Sequence, residues 1–168
     1  MRQHVVIALA ASLLAGSPAL AQNERGTAEA IINSQTVRID YGRPNLYGRD
    51  VLSIARMGQI WRLGADQATE IESTGNLVVA GKELKAGRYS LWAWKTDDGQ
   101  WVLAFHPTTG VWGDPPLTDG FVAETPLRIN PAASTAEQLT IELRAQGQDA
   151  VIEIHWGSAL LTGSFRIR

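Results

Sequence analysis

Arg43, Arg49 and Arg62 share one glycine-punctuated stretch of this chain with Tyr41, Tyr47 and Trp61. It runs Tyr41-Gly42-Arg43-Pro44, then Tyr47-Gly48-Arg49, then Trp61-Arg62-Leu63-Gly64-Ala65-Asp66. A guanidinium offers a planar fork of donors that suits carboxylate or phosphate, and it stacks on aromatic rings. These residue types in one stretch fit a pocket for an anion or an acidic sugar. The residues read as ligand-binding are Tyr41, Arg43, Arg49, Trp61, Arg62 and Asp66, with Trp112 as a stacking lid. A structural alternative stands beside this one. Arg49 and Arg62 would pair with Asp40, Asp66 or Glu70 and hold a long loop on the fold, because structural ion-pair networks mimic functional sites.

Other chemistries find less support. The chain has no cysteine and no Gly-x-Ser-x-Gly segment. Past the N-terminal segment only His106 and His155 remain, and each reads as a surface or rim histidine. A Ser-His-Asp arrangement is defined by geometry that this composition does not suggest. Zinc needs three or four N, S or carboxylate ligands, which two distant histidines do not supply alone. The calcium-loop spacing is missing as well. No metal or cofactor is expected, and no catalytic residue is identified. The leading reading is therefore a binding module for a small anionic or carbohydrate ligand. An envelope hydrolase using Asp66 or Asp114 as acid or base is the alternative, and a structural or interaction protein with no ligand site is the third reading.

The elements that must position these residues are strands. Val37, Ile39 and Tyr41 alternate with polar neighbours, as do Leu139, Ile141 and Leu143, and then Ile152, Ile154 and Trp156. Period-two alternation marks strands with one wet face. The repeated turn signals between them predict an all-β fold, an antiparallel β-sandwich of about eight or nine strands, with a jelly roll as one arrangement. At most one short helix is expected, over Val51–Met57 and closed by Gly58.

Two hairpins have readable registers. Asp98-Gly99 as a two-residue turn pairs Trp94 with Leu103 and Trp92 with Phe105, placing all the large residues of that hairpin on one core face with Lys95 pointing away. In the hairpin of residues 137–156, opposite charges favour Arg144 facing Glu153 and Glu142 facing His155, with the tip at Gln148-Asp149. Two long irregular stretches, from Gly42 to about Asp66 and from Pro107 to about Pro126, are of a length that is usually functional or disordered. Their Trp, Tyr and Arg content is unlike disorder.

The N-terminus sets the expected compartment. Arg2, the apolar run Val5–Leu14, the break at Gly16-Ser17-Pro18 and the small residues Ala19 and Ala21 have the three-part layout of a cleavable secretory signal. Residues 1–21 are read as that signal and residues 22–168 as a single β-sandwich domain, periplasmic or secreted. A domain of this length buries roughly 70% of its unfolded surface and needs no disulfide. The formal net charge of −2 argues against a nucleic-acid partner, which leaves a basic footprint. No later segment is apolar enough to enter a membrane.

Several short segments together give the chain a resemblance. They are Tyr41-x-Arg43-Pro44, Gly48-Arg49, Trp61-Arg62-x-Gly64-Ala65 with Ala68-Thr69, Gly81 followed by Ala86-Gly87-x-Tyr89-Ser90-Leu91, Trp112-Gly113 and Trp156-Gly157. On these the chain resembles the domain-of-unknown-function 2911 family of exported bacterial proteins over most of its length. The resemblance implies export and a β fold, and brings no activity, catalytic residue or cofactor. An Asn commonly follows the Gly-Ala pair in that family. Here Asp66 stands there, a swap of amide for charge that would alter binding if the position touches a ligand.

Overall fold

The computed structural model describes residues 22–51 and 58–168. The signal-like segment 1–21 and all but the first residue of the helix expected over 51–57 lie outside the described residues. Among the described residues there are nine strands: β1 (Arg25–Ile32), β2 (Gln35–Gly42), β3 (Thr69–Ser73), β4 (Leu77–Val79), β5 (Lys82–Leu84), β6 (Gly87–Lys95), β7 (Trp101–His106), β8 (Ala123–Gln146) and β9 (Asp149–Ile167). All neighbours are antiparallel, in the order β1-β2-β3-β6-β7-β8-β9-β4-β5.

This continuous sheet folds over at β8 into an all-β sandwich. Ala123–Leu127 pairs with β7, whereas Arg128–Gln146 pairs with β9. β8 thus leaves one layer and enters the other between Leu127 and Arg128, and register shifts interrupt its pairing with β9 further along, between Pro131, Ala136 and Thr140. Bulges of this kind bend a strand and raise its local twist. The two layers meet over a core that includes Val37, Ile39, Ile71, Leu91, Leu103, Leu139, Ile152 and Ile154. Phe105 of β7 and Phe165 of β9 meet edge to face at 5.7 Å across it. The alternating residues of β2, β8 and β9 face inward as expected: Val37, Ile39, Tyr41, Leu139, Ile141, Leu143, Ile152, Ile154 and Trp156 are all buried.

The β6–β7 hairpin is shifted by one residue from the expected register. Trp92 pairs with Ala104, Trp94 with Val102 and Lys95 with Trp101. The loop has three residues, not two. The Gly99 N–H donates to Thr96 O and the Thr96 N–H donates to Gln100 O, both at 2.8 Å, with Gly99 at φ +84°. This is a type I turn closed by a left-handed glycine, which adds one residue to the loop and moves every pair. Leu91, Ala93, Trp101, Leu103 and Phe105 therefore face the core, with Lys95 at the end of that face, and Trp92 and Trp94 lie on the opposite side.

Trp92 is nevertheless 0% exposed. Residues 107–122 fold back over the outer face of β6 and β7. Phe121 lies 5.2 Å from Trp94 and 5.5 Å from His106. The Ser90 hydroxyl donates to Thr108 O at 2.8 Å, and the Thr108 N–H donates to His106 Nδ1 at 3.0 Å. A hairpin buried on both faces has large apolar residues on both, so grouping them on one face selects the wrong register.

The β8–β9 hairpin is also corrected. Glu142 lies opposite Glu153, Arg144 opposite Val151 and Thr140 opposite His155. The tip is Gly147-Gln148, with Gly147 at φ +63°. Glycine at the first central position suits a tight hairpin turn, and turn geometry outweighs the like-charge pair. Arg144 still reaches Glu153 diagonally and pairs with it.

Candidate functional site

The chain leaving β2 is drawn onto β8. Leu139 N–H donates to Pro44 O at 3.1 Å and Leu46 N–H donates to Glu137 O at 2.6 Å, and Asn45 bridges to Gln138. This short pairing delivers a tight turn, Leu46-Tyr47-Gly48-Arg49, to the bulged part of β8. Opposite Ala136 at that bulge sits Gly157, at φ +59°. A Cβ there would meet Val51 Cγ2 at 3.2 Å and Leu46 Cδ1 at 3.4 Å. Only glycine meets both demands without strain, a left-handed backbone and a close neighbour.

Arg49 is held over this junction by its own turn. Its Nε donates to Leu46 O at 2.9 Å and its Nη2 to Asn45 O at 2.6 Å. Its Cζ lies 5.2 Å from the centre of the Trp156 ring, within cation–π range. Trp61 stacks on the same tryptophan, with ring centres 6.0 Å apart and planes 17° apart. Trp61 is positioned by reciprocal backbone hydrogen bonds with Ala93 of β6, at 2.7 and 2.8 Å. Arg49, Trp156 and Trp61 thus form one cluster, although Trp156 lies far along the chain from the other two.

Two polar facts mark the cluster. Trp156 is 5% exposed, and its indole N–H, itself buried, has no hydrogen-bond partner among the described residues. Among the same residues no carboxylate pairs with Arg49. Arg49, but neither Trp61 nor Trp156, lines a neighbouring cavity of about 280 Å³, together with Gly48, Asp50, Val51, Thr135 and Ser158 among others, and Asp50 is itself engaged within the protein.

The other expected site residues go elsewhere. Tyr41 is buried, and its hydroxyl donates to Ile141 O at 3.3 Å, joining the two layers. Arg43 is half-buried, donating from Nε to Leu139 O at 3.3 Å and pairing through Nη1 with Glu24 at 3.1 Å. Arg62 turns toward the 107–122 segment, where Nη1 donates to Trp112 O at 3.2 Å and its stem lies against Gly113. Asp66, at φ +63°, accepts from Asn23 N at 2.7 Å and Asn23 Nδ2 at 3.2 Å. Trp112 is exposed beside Arg62, and Asp114 is exposed two residues later.

The expected ion pairs of Arg49 and Arg62 with Asp40, Asp66 or Glu70 do not form. Asp40 pairs with Arg25, Asp66 accepts from Asn23, and Glu70 accepts from Gly110 N–H and pairs with Arg88. Both arginines instead donate to backbone carbonyls. No group of three or more His, Asp or Glu side chains among the described residues could hold a metal ion.

Trp156 and Gly157 were outside the expected site set. Their signal in the sequence was a Trp-Gly pair at which the alternation of β9 meets a glycine, and it becomes meaningful only once the bulge is placed. Gly48-Arg49, Trp61 and Trp156-Gly157 are three of the segments that carry the family resemblance, and they meet here. No curated protein and no solved structure matches the chain. One family pattern does match, described as Protein of unknown function (DUF2911), over residues 23–164. The residues that cluster around Trp156 thus sit in a chain that belongs to this family.

Proposed function

We propose that this protein is an exported binding module for a small anionic or carbohydrate ligand, taken up at the Arg49–Trp156–Trp61 cluster. One observation carries the reading: among the described residues the buried Trp156 N–H lacks an acceptor, and the arginine stacked on that ring pairs with no carboxylate. An unmet buried donor costs about 1–3 kcal/mol. A ligand oxygen at Trp156 would remove that cost, and a ligand anion would pair with Arg49.

The arginine is well prepared for that role. Its Nε and Nη2 are pegged to two backbone carbonyls, so the guanidinium plane is fixed, and among the described residues no group bonds its Nη1. Fixing a contact group in advance lowers the ordering cost of binding. The cavity, at about 280 Å³, is just below the range of drug-sized ligand pockets, about 300 to 1,000 Å³, and suits a small ligand. Export is supported by the signal-like layout of residues 1–21.

The test is a thermal-shift and calorimetry screen of residues 22–168 against glucose, acetate, phosphate and glucuronate. At least one compound should raise the melting temperature, because a ligand of the folded state stabilises it. Arg49→Lys keeps the charge and loses the planar fork, so affinity for that compound should fall at least about tenfold. A screen in which no compound shifts the melt, or in which Arg49→Lys binds like the wild type, would refute the proposal.

A further inference from the structure

Resting on that reading, we infer that Tyr47 is a contact residue of the same site and that the ligand is a sugar acid, its ring on Tyr47 and its carboxylate on Arg49. The argument begins with the turn. Arg49 N–H donates to Leu46 O at 3.1 Å, with Tyr47 at φ +50° and Gly48 at φ +69° between them. Both central residues are left-handed, the conformation for which Asn-Gly is the favoured pair. A bulky aromatic residue at the first of these positions is an outlier.

Burial does not compensate for the strain, because Tyr47 is 76% exposed. Its surroundings hold it in place all the same. The Tyr47 N–H donates to the Glu137 carboxylate at 3.0 Å, and Asn45 Nδ2 donates to the Tyr47 hydroxyl at 3.2 Å. Strain kept in a residue that adds nothing to the core is characteristic of functional positions. Tyr47 also stands in the chain between Leu46 and Gly48, both of which line the cavity.

A ring held in solvent two residues from an arginine offers two kinds of recognition. The C–H face of a pyranose packs on an aromatic ring, and a carboxylate takes the open edge of the guanidinium. Thr135 and Ser158 line the same cavity and offer hydroxyls to those of a sugar. A simple anion would use Arg49 alone, and a neutral sugar would use Tyr47 without Arg49.

Calorimetry of residues 22–168 with glucuronate, glucose and phosphate, on the wild type, Tyr47→Asn and Arg49→Lys, tests the inference. The wild type should bind glucuronate at least about tenfold more tightly than either glucose or phosphate. Tyr47→Asn should melt a few degrees higher, since asparagine tolerates the left-handed turn, and should lose at least about tenfold in glucuronate affinity. A fold that gains stability while binding is lost separates a contact role from a structural one. A lower melting temperature for Tyr47→Asn would overturn the premise of strain. Unchanged glucuronate affinity in that variant, or phosphate bound as tightly as glucuronate by the wild type, would overturn the inference and leave the anion site standing. If the wild type binds none of the three, the sugar-acid inference fails, and the site reading fails with it if acetate does not bind either.

Discussion

Trp92→Phe and Trp156→Phe make the same deletion in two buried settings, and their difference reports chiefly on the indole N–H, set against the Arg49 and Trp61 contacts that phenylalanine keeps in weaker form at position 156. Trp92 is 0% exposed and Trp156 5% exposed. The Trp92 N–H donates to the buried Ser90 hydroxyl at 2.8 Å, whereas the Trp156 N–H has no acceptor among the described residues. Loss of volume is equal in the two variants and cancels to first order. Trp92→Phe also gives up a satisfied hydrogen bond, about 0.5–1.5 kcal/mol, while Trp156→Phe removes an unmet donor that costs about 1–3 kcal/mol. Trp92→Phe should therefore be less stable than Trp156→Phe by about 2–3 kcal/mol. Urea melts of both variants and the wild type, analysed with a common slope, measure the gap. A gap below about 1 kcal/mol, or one of opposite sign, would show that Trp156 is as well satisfied as Trp92 and would remove the argument for a ligand there.

Three further outcomes follow from particular contacts. Gly157→Ala should cost about 1–2 kcal/mol in a urea melt, because alanine pays for the left-handed conformation and its Cβ would crowd Val51 and Leu46. The Asp98 carboxyl is held below the usual carboxylate range, first by the Thr96 hydroxyl and then by the Gln100 N–H. With the folded value depressed, its contribution is present above the ordinary value of 3.8 and lost as pH falls through the native value. Asp98→Asn should accordingly melt below the wild type at neutral pH and converge with it in acid. Mass spectrometry of envelope-derived protein should find the chain starting at Gln22, and an intact Met1 there would refute the signal reading.

The sandwich was legible because β2, β8 and β9 each bury one face, which leaves a period-two pattern that local sequence carries unaided. Leu139, Ile141 and Ile154 needed no partner to show which way they point. The arginine-rich stretch was legible as unusual, and Arg49 and Trp61 do end at one site. Ion-pair partners chosen by nearness in sequence failed, because Asp40, Asp66 and Glu70 meet other partners across the fold.

The amino-acid sequence by itself therefore determined the all-β class, the inward faces of β2, β8 and β9, and the family, since these depend on residue type and short-range periodicity. Register was decided by turns. A three-residue loop at Asp97-Asp98-Gly99 and a glycine at position 147 each moved their hairpins, and a one-residue slip changes which face every side chain takes. Only the tertiary structure covered Trp92 with residues 107–122 and brought Trp156 under Arg49. Both depend on where a loop or a bulged strand lands after the sheet has folded over, a long-range outcome that no local pattern encodes.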